Sequence, residues 1–425
     1  MKQRMIILFF IVLANICMAQ SVDAGNGHAI ILDRNGQVFT VGRNNFGQIG
    51  DSTYTNALKP KLVKKLPKIS LISRGYDHSI AIDENSNMYL WGRNNYGQLG
   101  DHLGVDHNEP FKLPNHTGFI AAEGGYWHTV AIKNDHTVWA WGHNYFGELG
   151  NGNREHTPHP TQVLQKINGK ISPLTDVVKI ASVGCHTIAI KRDGTVWGWG
   201  SNDFHEVKNS EETIILYAIP LTDLPQLEDV AVGWHHSVGL DKNGDLWIWG
   251  SDPSTQDKEA TEKFYQKPFR LTGLPKFKKI ACGSWHSLAI DVNNEVWGWG
   301  KNHYGMLGTN DSTSHSLPIK IPGLKDIVDI GGGCFQSMAV DISGNIFTFG
   351  DNPSGQMGIG TLDRCYSPEL MGININGDIV EISKAVDKTE TLSKDNLWKA
   401  VKWLLFGFSV LLNIILVARL RRSNK

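Results

Sequence analysis

Six histidines recur in phase along the chain, at His28, His78, His128, His186, His236 and His286, and Gln336 stands in the seventh place. Such a series invites a metal reading, because imidazole nitrogen is a common ligand with bonds of ~2 Å. The spacing speaks against a shared ion: each histidine sits in its own repeated unit, and a ring of such units holds them apart. Glutamine both donates and accepts hydrogen bonds but is a poor zinc ligand. The series therefore reads as hydrogen-bonded structural histidines that tie each unit to its neighbour, with no metal and no cofactor. His205-Glu206 and Asp101-His102 set an acid beside an imidazole and read as solvated loop residues. The sequence holds no G-x-S-x-G, H-E-x-x-H or glycine-rich phosphate loop, so no catalytic residues are assigned. Cys185, Cys282, Cys334 and Cys365 form no C-x-x-C pair and read as buried free thiols, although an oxidising compartment would permit disulfides.

The elements that position these residues follow from a period. A Trp-Gly or equivalent dipeptide ends with Gly42, Gly92, Gly142, Gly200, Gly250, Gly300 and Gly350, at intervals of 50 residues except for one of 58 between Gly142 and Gly200. A fixed period of this length is the mark of a repeat architecture. Within a unit, Val130, Ile132 and Val138 alternate with a period of two, which predicts strands. Asp33-Arg34-Asn35-Gly36, Asp193-Gly194 and Asp241-Lys242-Asn243-Gly244 predict tight hairpins. Trp139 and Trp141, Trp197 and Trp199, Trp247 and Trp249, and Trp297 and Trp299 stand two apart on one face of a strand. With Trp91, they read as the filling between units: Trp91, Trp141, Trp199, Trp249 and Trp299 are the predicted structural tryptophans. A final strand, such as Ile69 to Arg74 or Ile327 to Ile330, leads to the next unit, giving about four strands per unit. The fold class is all-β, a seven-bladed β-propeller.

The two positions before each histidine vary: Asn26-Gly27, Tyr76-Asp77, Tyr126-Trp127, Gly184-Cys185, Trp234-His235, Ser284-Trp285 and Cys334-Phe335. They fall on the loop that enters the hairpin, at one face of the disc. Large aromatics on variable loops are common interface anchors. Tyr76, Tyr126, Trp127, Trp234, His235, Trp285 and Phe335 are the candidate partner-binding residues. Local packing over the channel mouth is the alternative.

The pattern G-x-x-H-[ST]-x-A-[IL], a hairpin, and then V-W-x-W-G-x-N-x-x-G-Q-L-G resembles the repeat of the regulator of chromosome condensation family. The resemblance covers about 24 to 383 and implies a seven-bladed ring. Blades 4 and 5 lack the G-Q-L-G, and blade 3 carries an insertion around Lys166 to Leu174. Secreted bacterial members of this fold, such as the propeller β-lactamase inhibitor protein, bind a partner through loops on one face, and that is the role the resemblance implies. Nuclear members act as guanine nucleotide exchange factors for a small GTPase and bind chromatin. That role fits poorly with a chain that carries an export signal, no basic tail for DNA and no wedge insertion beyond the one in blade 3. The formal net charge of −1 gives no nucleic-acid footprint.

The termini stand apart. Lys2 and Arg4, an apolar run to Leu13 and a small residue at Ala19 read as a signal peptide over 1–19. The propeller spans 20–383; Ser21 to Gly25 reads as a final strand that completes the last blade, Asp378 to Ser383 reads as the same element again, and either one of them is redundant or both termini seal the ring. A polar linker follows over 384–396, then a transmembrane helix over 397–420 and a basic cytoplasmic tail over 421–425. A cleaved sorting tail is the second reading of that end. The expected protein is a single-pass membrane protein with its propeller outside the cytoplasm, where it acts as a protein-interaction scaffold. A cell-wall or carbohydrate binder that stacks sugars on the same aromatics is the second functional class, and an enzyme that uses the channel is the third.

Overall fold

A computed structural model describes residues 21–254 and 264–378. The predicted signal peptide, linker, transmembrane helix and basic tail lie outside the described residues, as does the unit Ser383–Lys425. No helix among the described residues is long and apolar enough to cross a membrane.

Each repeat folds as an antiparallel sheet because its apolar residues alternate and its hairpins are pinned by aspartate. In the first hairpin the Asp33 carboxylate accepts the backbone N–H groups of Asn35 and Gln37, at 2.9 and 2.7 Å, and Gly36 takes a positive φ of 82°. Asp83, Asp241 and Asp291 repeat the arrangement. Side-chain acceptors of this kind fix a turn that the backbone alone would leave loose.

Seven sheets result, six of four strands and one of six. Blade 1 comprises Val22–Ala24, His28–Leu32, Val38–Gly42 and Ala57–Leu62, paired in chain order. The first strands of neighbouring blades contact one another all the way round, including Val22–Ala24 against Ile327–Gly332, so they line the axis and close the ring.

Three expectations are corrected. Strand Ile69–Arg74 pairs with His78–Asp83, so the strand read as the end of one unit is the first strand of the next blade. Val22–Ala24 accordingly pairs with His28–Leu32 and opens blade 1 rather than completing blade 7. Blade 7 is continuous, ending in Cys365–Asn374, so among the described residues no blade is assembled from both termini; the candidate segment Asp378 to Ser383 lies outside them after Asp378. The seam between blades 7 and 1 is instead held by contacts across it. Ser21 donates its N–H and its hydroxyl to Asp329, at 2.7 and 2.6 Å, and Cys334 N–H donates to Gly25 O at 3.2 Å. Finally, the insertion folds as a hairpin, Leu164–Ile167 with Lys170–Pro173. It joins blade 4 in parallel through Gln165 and Ala218, making that sheet six-stranded.

The core lies between blades. Trp199 of blade 4 packs in one buried cluster with Val130, Ile132 and Leu149 of blade 3. Trp91, Trp141, Trp199, Trp249 and Trp299 are at most 2% exposed, and Phe349 takes the same place in blade 7. Trp139, Trp247 and Trp297, the outer members of their pairs, are half-buried.

Candidate partner-binding face

Below the face runs a belt of contacts that repeats from blade to blade. His28 Nε2 lies 3.3 Å from Ser79 Oγ of the next blade, and the Ser79 hydroxyl donates to Gln48 O at 3.0 Å. Trp91 Nε1–H donates to the same carbonyl at 2.9 Å. A hydroxyl that donates to a carbonyl must accept from the imidazole, which places the histidine proton on Nε2. His78 with Thr129, His186 with Ser237, and His286 with Ser337 repeat the relay, at 3.2, 3.0 and 2.7 Å. His236 reaches Ser287 at 2.9 Å, and His128 reaches Ser182 at 3.1 Å. Gln336 crosses the seam and donates to His28 O at 3.1 Å. Burial pushes all six histidines down to about 3 or 4, so they are neutral at physiological pH.

The mouth above this belt is built on backbone. The bend at Gly142, with φ of 105°, lets His143 N–H donate to Trp127 O at 2.9 Å; a Cβ there would stand 2.6 Å from that carbonyl. Every blade makes the same bond, from Arg43 to Gly27 through Asp351 to Phe335. Neighbouring mouth loops are also joined: Asn26 N–H donates to Tyr76 O, Tyr76 to Gly125, Tyr126 to Gly184, Trp234 to Ser284, Ser284 to Gly333 and Cys334 to Gly25. Main-chain bonds hold this platform, so its side chains are free to differ.

The side chains that differ come together. Tyr76 and Tyr126 have ring centroids 4.2 Å apart, Tyr126 and Trp127 4.3 Å, Tyr126 and Trp234 5.5 Å, and Trp234 and Trp285 4.9 Å. His235 joins at 5.5 Å from Trp285, and Phe335 stands 5.3 Å from Tyr304. All seven candidates are half-buried. Six of the seven rings therefore form one connected group across the mouth, Phe335 packs on Tyr304 instead, and all keep part of their surface open.

Charged groups, among them Arg43, Arg93, His143 and Glu148, which the sequence reading left out, complete the site. Arg43 and Arg93 both approach Asp77, Nη1 to carboxylate oxygen, at 3.6 and 3.3 Å. His143 Nδ1 lies 2.7 Å from Glu148, and His235 Nδ1 lies 3.4 Å from Glu206. In blades 1, 2 and 7 the position of Glu148 is Gln48, Gln98 or Gln356, whose Oε1 accepts one loop N–H. Glu148 and Glu206 keep that bond, to Phe146 and Phe204 N–H, and use their second oxygen for a histidine. Glutamate in the glutamine place of the loop motif was the available signal. Burial pushes the Glu148 and Glu206 carboxyls up, but the facing histidines more than offset it and hold both below the usual range.

Two loop residues read as solvated are not. Glu206 is fully buried, and blade 4 keeps its loop lock through it despite the lost G-Q-L-G. Asp101 is also buried, accepting from Asn94 and lying 2.6 Å from His107 Nε2. Along the axis, burial and then the Asp23 charge raise Glu123 to about 8, so it holds a proton at neutral pH while Ser73 donates to it at 3.0 Å. Asp23 is bridged by Arg74, which also donates to Gly332 O across the seam. Cys185, Cys282, Cys334 and Cys365 are free thiols.

Comparison with known proteins agrees with this architecture. Residues 107–396, more than half of the chain, match the RCC1-like domain. Residues 35–82, and separately 19–48 and 69–98, match the regulator of chromosome condensation (RCC1) repeat. No curated protein matches the sequence. Among solved structures the chain is similar to yeast RCC1 (Prp20) bound to Kap60, at 21% identity and a TM-score of 0.69, covering 80% of this chain and 84% of that one. It is equally similar to Prp20p of Saccharomyces cerevisiae, at 22% identity and a TM-score of 0.69, with 80% and 87% covered. Human WBSCR16 matches at 21% identity and a TM-score of 0.65, with 73% and 83% covered. At these identities the structures speak for the fold alone, while the family models match the repeats themselves, and on that ground the chain belongs to the RCC1-repeat propeller family.

Proposed function

We propose that this propeller is a protein-interaction scaffold that takes its partner on the mouth face, anchored by Tyr76, Tyr126, Trp127, Trp234, His235, Trp285 and Phe335. One observation carries the reading: loops joined by backbone bonds at six of their seven junctions hold a connected cluster of six half-buried aromatic rings. Preorganised aromatics lose little entropy on binding and act as hot spots. Relatives of the fold support a protein partner: yeast RCC1 (Prp20) is bound to Kap60, and Prp20p has binding properties toward Gsp1p and histones. We read the chain as a binding protein rather than an enzyme. We also read it as exported and held at the membrane by residues 397–420, on the strength of the sequence at its two ends.

The test is a crosslinking pull-down from native membranes, comparing wild type with the triple variant Trp127→Ala, Trp285→Ala, Phe335→Ala. Capture by the wild type and its loss from a still-folded variant is the expected outcome. Equal capture by both would move the site off this face. Competition by soluble cell-wall glycans would favour the sugar-binding reading. Release of the protein from membranes by alkaline carbonate would remove the tether.

A further inference from the structure

We propose that the partner presents a carboxylate, from an acidic segment of a protein, to the guanidinium groups of Arg43 and Arg93. This rests on the mouth being a protein-binding face and names the chemistry that the face selects. The two arginines share a single carboxylate, Asp77, which is 2% exposed where their own side chains are 27% and 24% exposed. One acid balances one guanidinium, so a net positive charge remains at the surface. The arginines are also held in place by rings. Arg43 lies 5.5 Å and Arg93 4.7 Å from the Phe46 centroid, and Arg93 lies 5.3 Å from that of Trp127. Arg93 commits Nε–H to Asn95 and Nη1–H to Asp77, which leaves Nη2 without an acceptor among the described residues. A planar fork fixed in this way is preorganised for a carboxylate.

The rest of the face has the same polarity. Lys301 Nζ stands 4.7 Å over Trp285. The carboxylates Asp77, Glu148 and Glu206 lie behind the face at 2% exposure or less. Asp203 is an exposed acid on these loops, on blade 4, whereas the arginines stand on blades 1 and 2. Asp351, at the mouth of blade 7, is engaged by Arg364. With Asp77 buried behind the two arginines, the charge they retain favours a ligand that brings a carboxylate. The adjoining rings favour one that brings apolar side chains as well. One net charge amid aromatics is not the basic stripe that a phosphate polymer needs, and this argues for an acidic, aromatic-bearing protein segment.

The test uses the full chain and a fluorescein-labelled random copolymer of glutamate and tyrosine, followed by anisotropy. Copolymers of lysine and tyrosine, polygalacturonate, and single-stranded DNA serve as comparison probes. Wild type should bind the glutamate copolymer best, with affinity falling as salt rises. Arg93→Gln should weaken binding about tenfold, and Arg93→Lys should restore it only in part. Arg93→Gln leaves Arg43 to balance Asp77; should it nevertheless unfold, Arg43→Gln replaces it, and thermal melting checks both. Unchanged binding by the folded glutamine variant, or preference for the lysine copolymer, overturns the proposal. Tighter binding of polygalacturonate or DNA overturns its protein-segment form. Loss of the probe from Trp127→Ala but not from Arg93→Gln would sink the carboxylate and leave the face standing, whereas loss from neither would sink both.

Discussion

The belt and the mouth are adjacent rings of one disc, and they obey opposite rules. In the belt, residue types repeat: histidine, hydroxyl, loop carbonyl and indole recur between blades, with histidine and hydroxyl 2.7 to 3.3 Å apart in blades 1, 4 and 6. In the mouth, only the backbone bonds repeat, and the side chains run from Gly27 to Trp127 to Cys185. Repetition marks the contacts that every blade needs in order to pack. Variation on a repeated scaffold marks the positions that packing leaves free, and these are the ones available for recognition. The loop glutamates show the two rules meeting: one oxygen serves the repeated lock, and the other holds a histidine at the face.

Among single substitutions, the comparison breaks most readily at a belt tryptophan. Trp199→Ala removes a fully buried ring and its bond to Glu148 O, and should cost about 3–5 kcal/mol in urea denaturation. A loss below about 1 kcal/mol would show that the belt does not carry the ring.

Acid acts on all six belt histidines together and so exceeds any single substitution. Each belt histidine has a folded value of about 3 or 4, against about 6.5 when unfolded, so the unfolded chain binds protons first. Stability is therefore whole above about pH 6.5 and falls as the pH drops toward 4, by about 1–2 kcal/mol per histidine at pH 5. Glu148 and Glu206, held below their usual values, add a loss of the same sign in a lower window, below their unfolded values near 4.5. A melting temperature that stays flat from pH 7 to 5 would contradict buried neutral imidazoles.

The smallest stability change should come from the mouth. Trp285 is half-buried against Trp234 and His235, and Trp285→Ala should cost about 1 kcal/mol, well below the belt value. Destabilisation equal to that of Trp199→Ala would make the mouth aromatics part of the core and erase the distinction.

Much of this was legible in the chain. Equal steps between Trp-Gly dipeptides required identical units, and period-two alternation with Asp-x-Asn-Gly turns required hairpins. Histidine in phase, with glutamine in one slot, already pointed to hydrogen bonding. The variable pairs before each histidine marked the loops that now line the mouth. All of these are local signals, set by a residue and its neighbours within one repeat, and repetition amplified them. What one repeat cannot encode is its relation to another. That Ile69–Arg74 opens a blade rather than closing one depends on which strand it pairs with, and both choices suit the same alternating residues. Asp77 meets arginines from two blades, and the buried Glu206 looks like any polar loop residue until a neighbouring blade covers it. Sequence by itself determined the number of blades and the residues of the belt, because each blade must present the same surface to the next. Only the tertiary structure decided how the ring closes and which charges share the mouth, because those depend on distances between residues up to about three hundred positions apart, fixed only once the seven sheets are packed around an axis.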